Sequence, residues 1–228
     1  MRVAVVGGTG AEGFGLTLRL ARAGHEVAIG SRSAERGAAS ADRATETLGT
    51  AAVTGTTNEE AAAAAEVVFV TIPFEGQAEI YRTIKGSVTS DAVVCDATSP
   101  LATAVGGRAW HVLRPWHGSA AEQAAAILGD GIRMVAGFHT ISAEALHALD
   151  VPMDSDVLVC GDDPEAKRTV GRLIEQIPDL RWVDAGLLSQ ARIVEPMTAL
   201  LISINRAYKV RDSGFRITGR DGWGDPKG

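Results

Sequence analysis

Cysteine is scarce in this 228-residue chain: only Cys95 and Cys160, each closing a short apolar run, far apart in sequence. Two lone thiols exclude a disulfide framework and a cysteine-based metal site, and they fit buried core positions in a reducing, cytoplasmic compartment. Aromatic residues make up 5%, and no apolar run approaches the roughly 20 residues that a membrane-spanning helix needs. Positive charge is in short supply, with 22 Lys and Arg against 28 Asp and Glu; the formal charge of −6 argues against broad nucleic-acid binding. A signal-peptide layout is missing too, since Arg2 and Val3–Val6 open a strand pattern at once. What is present is ample core material, 46% hydrophobic with 22% charged, which excludes an intrinsically disordered chain. The length suits one large domain, or one and a half.

Short β-branched runs alternate with longer amphipathic stretches. The runs are Val3–Val6, Glu26–Ile29, Ala52–Thr54, Val67–Ile72, Ala92–Cys95, Met134–Ala136, Val157–Cys160 and Arg181–Val183. Helical patterns lie near 14–23, 34–48, 58–65, 76–85, 120–128, 142–148, 164–177 and 189–207. Apolar strands interleaved with helices predict an α/β fold: a Rossmann-type, doubly wound parallel sheet covered on both faces. Residues 1–150 read as a nucleotide-binding domain and 151–228 as a smaller C-terminal lobe closed by the last helix, which Pro196 kinks or restarts. The tail Gly219–Gly228 is expected to be mobile.

Gly8-Thr9-Gly10-Ala11-Glu12-Gly13 is a G-x-G-x-x-G that follows the first strand and opens the first helix. That context turns a weak string into a phosphate-binding turn: glycine lets the backbone approach the ligand, and the helix start offers free N–H groups and a favourable dipole. Glu12 is a departure, because a carboxylate near phosphates repels them. Its side chain is expected to point to solvent or pair with a base, leaving only its N–H to serve the ligand. An NAD site usually ends the second strand with an acid that grips the ribose hydroxyls. Here Gly30-Ser31-Arg32 stands instead, with Arg36 one helical turn on. A hydroxyl and guanidinium forks match a 2′-phosphate and point to NADP; for Arg36 a solvated surface charge is the alternative.

With those features, Gly7-Gly8-Thr9-Gly10, Gly13, Gly15, Leu16 and Gly30-Ser31-Arg32 resemble the N-terminal half of coenzyme F-420-dependent NADP oxidoreductases. The resemblance continues through Thr71-Ile72-Pro73, Gly118-Ser119-Ala120-Ala121-Glu122, His139-Thr140-Ile141, Cys160-Gly161-Asp162-Asp163, Asp184-Ala185-Gly186, Arg192 and Glu195, to about Ile217. It implies direct hydride exchange between NADP(H) and an 8-hydroxy-5-deazaflavin, with no protein acid or base in the hydride step. The resemblance further implies that Thr9–Glu12 hold the pyrophosphate and Ser31, Arg32 and Arg36 the 2′-phosphate, with Ile72 and Pro73 lining the dinucleotide. By the same token Thr98, Ser99 and Pro100 lie near ribose and nicotinamide; His139, Ile141 and Ala143 meet the two rings; Ser213 and Gly214 contact the deazaflavin. The loop Gly106–Gly118, with Trp110, His111, Trp116 and His117, and the residue Ser213 depart from the family pattern.

Other groups have plainer readings. His25 reads as surface structure. His111 and His117 lack companions at ligand spacing, so no metal site is expected. His139 either lines the cleft or is a core histidine. Asp162-Asp163 before Pro164 reads as a helix N-cap rather than a metal pair, and Glu195 as a partner for Arg192 at three-residue spacing. Arg206, Lys209, Arg211 and Arg216 either serve the anionic tail of the deazaflavin or form a solvated face. The partners expected are small redox coenzymes and a second copy of the chain, with the apolar helix Ile193–Ile204 as dimer seam. Two other functions stay open: an NADPH-dependent reductase of an imine, keto group or flavin, using His139 as proton donor, and a non-catalytic NADP-sensing module.

Overall fold

Side chains alternate along a strand with period two, so a strand buried on both faces feeds two hydrophobic layers. In β1 (Arg2–Val6) Val3 and Val5 join one layer, Ala4 and Val6 the other. The structure, a computed structural model, describes residues 1–49, 53–219 and 223. Ala52 of the expected third strand, and the expected mobile tail apart from Gly219 and Trp223, lie outside the described residues.

The remaining strands are β2 (Glu26–Ser31), β3 (Val53–Thr57), β4 (Val67–Val70), β5 (Val93–Asp96), β6 (Arg133–Ala136), β7 (Ser155–Gly161) and β8 (Leu180–Asp184). The helices are α1 (Ala11–Arg22), α2 (Ala34–Leu48), α3 (Asn58–Ala64), α4 (Phe74–Ile84), α5 (Ala120–Leu128), α6 (Ala143–His147), α7 (Pro164–Ile174), α8 (Ala191–Val194) and α9 (Met197–Tyr208). Together the strands form one sheet in the order β3-β2-β1-β4-β5-β6-β7-β8. Leu16, Leu18 and Leu20 of α1 pack with Val170, Leu173 and Ile174 of α7 over one face; Ala61 of α3, Tyr81 of α4 and Ala124 of α5 cover the other. Strand order reverses between β1 and β4, which opens a crevice above their C-terminal ends.

β1 to β6 are parallel, as expected, but β7 is antiparallel to β6, and β8 runs parallel to β7. The cause is local. The chain after β6 stays at the C-terminal edge of the sheet through α6, so β7 starts beyond that edge and runs back. The last helical stretch breaks at Glu195-Pro196, between α8 and α9, where proline cannot donate to the helix. Among the described residues no helix is long and apolar enough to cross a membrane.

Candidate active site

The turn after β1 is built by close approach. Gly7 sits at φ +76°, and a Cβ there would run into Ile72 Cγ2. At Gly13 a Cβ would lie 2.8 Å from Gly8 Cα and collide with Thr71 Oγ1, so glycine lets α1 settle on the turn and the end of β4. Asn58 Oδ1 accepts the Gly7 N–H (3.4 Å), and Thr71 Oγ1 donates to the Val6 carbonyl (3.3 Å), which holds the turn from two sides. Helix α1 starts at Gly10 with no side-chain cap. Its first N–H groups are left for a ligand. By contrast α2, α3, α5, α6 and α7 are capped by Ser33, Thr57, Ser119, Ser142 and Asp163.

A cavity of about 250 Å³ beside this turn is lined by Gly7, Thr9, Gly10, Ser31, Arg32, Arg36, Asn58, Ile72 and Pro73, with Glu75 and Glu79 of α4 on the far wall. Ser31 is buried at the end of β2. The Ser33 cap, which accepts the Arg36 N–H, sets the start of α2 between the two arginines. Arg32 and Arg36 are exposed and form no ion pair among the described residues. A second cavity, about 450 Å³, shares Gly10, Thr71, Ile72, Pro73 and Glu75 with the first and continues past Ala11, Glu12, Ala97, Ser99, Leu101, His139, Ile141 and Thr198. The two form one cleft along the C-terminal edge of the sheet.

Twelve of the residues named from sequence line this cleft: Thr9, Gly10, Ala11, Glu12, Ser31, Arg32, Arg36, Ile72, Pro73, Ser99, His139 and Ile141. Gly8 and Gly13 stand behind it as packing positions. Thr98 is buried and donates to Asp96 (2.8 Å). Pro100 lines a neighbouring hollow with Leu113, Pro115 and Pro196. Ala143 opens α6 without lining the cleft. Ser213 donates to Asn205 Oδ1 (2.5 Å), and Gly214 packs against Ser155 at the start of β7.

Beneath the cleft lie ionisable groups that the sequence reading placed elsewhere or left out. Glu12 turns inward from the first turn of α1, not to solvent, and its Oε1 has no hydrogen-bond partner. Burial, with the charge of Asp96, pushes its carboxyl up to about 8. Asp96 ends β5 and accepts from Tyr81 Oη (2.8 Å), Thr98 Oγ1 (2.8 Å) and Gln77 Nε2 (3.1 Å). Burial raises it to about 6 against those hydrogen bonds. Glu195 does not pair with Arg192, which instead reaches Glu122. Its carboxylate, fully buried at the α8–α9 break, accepts the N–H groups of Ala120 (2.8 Å) and Ala121 (2.9 Å) at the start of α5, and burial raises it to about 8. His139 is buried with neither ring nitrogen partnered, and burial drives it down to about 3. That makes it a poor proton donor near neutral pH. Thr198 Oγ1 donates to the His139 carbonyl (2.7 Å) and meets Ser99 Oγ (2.6 Å), tying α9 to the loops after β5 and β6. An acid closing an apolar strand, Val93-Val94-Cys95-Asp96, was the available signal for Asp96; Asn58 and Thr198 carried none.

Several smaller readings also change. His25 is buried, not a surface residue. The N-cap reading of Asp162-Asp163 holds: Asp163 caps α7, accepting from Glu165 and Ala166, while Asp162 takes the Leu188 N–H. Arg216 is held by Asp154 and Asp156, and Arg206 lies 4.2 Å from the Trp110 ring, so the basic group after α9 is not four free charges. Trp116 is almost fully exposed.

Comparisons with known proteins place the chain in a family. The family model for coenzyme F-420-dependent NADP oxidoreductases matches residues 2–100. The F-420-dependent NADP reductase of Methanothermobacter thermautotrophicus is 43% identical over 96% of this chain and 95% of its own length. That of Methanocaldococcus jannaschii is 39% identical over 96% and 98%. The crystal structure of an Arthrobacter sp. FB24 protein superposes with a TM-score of 0.81 at 24% identity, covering 96% of this chain and 99% of that one, a likeness of fold. With that identity, carried over nearly the whole chain and over a phosphate-binding turn at the sheet's switch point, the chain belongs to the family of coenzyme F-420-dependent NADP oxidoreductases.

Proposed function

We propose that this chain is an NADP-dependent oxidoreductase that transfers a hydride directly between NADP(H) and the 8-hydroxy-5-deazaflavin coenzyme F-420. The observation that carries the reading is the single cleft running from Ser31, Arg32 and Arg36, past the uncapped start of α1, to His139 and Ile141. When bound, the two coenzymes supply hydride donor and acceptor between them. The chain's own work is holding them. Backbone N–H groups of Thr9 to Glu12 hold the pyrophosphate, and Ser31, Arg32 and Arg36 hold the 2′-phosphate. Ile72, Pro73 and Ile141 keep water from the rings, with Ser99, His139 and the backbone near Thr98 and Pro100 on the nicotinamide side. Holding reacting atoms about 3–3.5 Å apart supplies roughly 7–11 kcal/mol of barrier lowering, so no acid or base is needed.

In this reading residues 1–150 carry the dinucleotide. Residues 151–228, through Ser213 and Gly214, close the deazaflavin side, with Arg206, Lys209 and Arg211 available to its anionic tail. The enzyme works in the cytoplasm as a homodimer seamed along α8 and α9. The His139 environment counts against a reductase that relies on that residue for a proton. Mixing protein, NADPH and oxidised F-420 tests the proposal: deazaflavin absorbance falls at a rate proportional to enzyme. Reduction of FMN or a ketone in place of F-420, or NADPH binding without turnover of any of them, overturns it.

A further inference from the structure

Three side chains from separate parts of the chain converge under the cleft. Asp96 ends β5, His139 follows β6, and Glu195 sits at the break between α8 and α9. One ligand atom of each lies within 4.8 Å of those of the other two. All three are buried, at 0%, 5% and 0% exposure. Neither nitrogen of the His139 ring has a hydrogen-bond partner. A buried imidazole with both nitrogens idle is rare in a folded protein and marks a place where a ligand can be received.

The two carboxylates are differently placed. Each is fixed by hydrogen bonds from neutral donors: Tyr81, Thr98 and Gln77 on Asp96, and the Ala120 and Ala121 amides on Glu195. Asp96 Oδ2 and both oxygens of Glu195 take one such bond each, so every one of these oxygens keeps a lone pair. A carboxylate oriented on one side and open on the other is the pattern of an outer-sphere-supported metal ligand. No lysine or arginine is bonded to either one among the described residues. Glu12 adds a further buried oxygen at the rim.

We propose that Asp96, His139 and Glu195 form a binding site for a divalent first-row transition-metal ion of the zinc type. One nitrogen and two carboxylate donors suit that class better than magnesium or calcium, which favour all-oxygen shells. Bonds of about 2.0–2.2 Å would set the ligand atoms roughly 3.4 Å apart, so the three side chains draw together by a small rotation. The ion would bind β5, the loop after β6 and the α8–α9 junction into one unit and fix the His139 backbone beside Thr198. The site departs from the expectation of no metal, which rested on the spacing of His111 and His117. It shares His139 with the nicotinamide side of the hydride-transfer reading, and its test uses no coenzyme, so the two readings fail separately.

Titration of the metal-stripped chain with Co²⁺ alone, followed by its ligand-field absorption, tests the proposal. The expected result is saturable uptake of one ion per chain, displacement by Zn²⁺ and a rise in melting temperature. His139→Ala and Glu195→Gln should each weaken uptake by at least about tenfold, while the double variant His111→Ala with His117→Ala leaves it unchanged. Lack of saturable uptake by the native chain overturns the site, as does full uptake by both ligand variants. Should a variant fail to fold, the native titration alone decides.

Discussion

At the end of β2 a hydroxyl and a guanidinium stand where a ribose-gripping carboxylate would favour NAD, and neither Arg32 nor Arg36 is tied up by an acid among the described residues. Arg32→Ala removes a charge-assisted contact of about 1.5–3 kcal/mol, so NADPH should bind roughly 10–100-fold more weakly. NADH affinity should stay nearly constant. Equal losses in a fluorescence titration would contradict the 2′-phosphate assignment. Glu12→Gln bears on a second residue-level claim. The carboxyl, raised to about 8, is neutral at pH 7, and the backbone rather than the side chain serves the ligand. The variant should therefore bind NADPH within about threefold of the native chain at pH 7; a much larger loss would show that the side chain itself binds. Glycines and Ser31-Arg32 were legible because their roles follow from position relative to a strand end. The inward turn of Glu12, and Glu195 reaching α5, were not: both depend on how distant elements stack, which no local spacing encodes.

Elements were the most legible scale. Each of the eight apolar runs became a strand, since β-branched runs bounded by glycine and polar residues have few other solutions. The reversal of β7 was hidden, because an apolar strand reads the same in either direction. Its first residues also anchor the C-terminal segment. Asp156 on β7 accepts from Arg181 (2.7 and 2.9 Å), Arg216 (3.0 Å) and the Ile217 N–H (2.6 Å). Burial alone would raise this carboxyl, but those partners hold it below its ordinary range. A carboxylate depressed in the folded state contributes stability above its unfolded value, near 4, and loses it as pH falls through the folded value. Asp156→Asn should cost about 3 kcal/mol at pH 7 by chemical denaturation. The gap from the native chain should shrink as pH drops below about 4. A gap that stays constant with pH would rule out the ion-pair origin.

Across the whole molecule, sheet order fixes where a ligand can lie: the crevice between β1 and β4 gathers residues from Gly7 to Thr198 along one edge. The same architecture leaves Ile193, Leu200 and Tyr208 exposed, at 62%, 52% and 77%, on the face assigned to the dimer seam. For the proposed homodimer, Leu200→Asp should shift the sedimentation coefficient from dimer to monomer with little change in circular dichroism; an unchanged coefficient would contradict a dimer seamed on this face. The central claim is that hydride passes from one coenzyme to the other without visiting solvent or protein. Turnover of NADPH carrying deuterium at the transferable nicotinamide position, analysed by mass spectrometry of the product, tests it most directly. The account predicts that the label appears in reduced F-420. Reduced F-420 that instead acquires hydrogen from water at that carbon would contradict it.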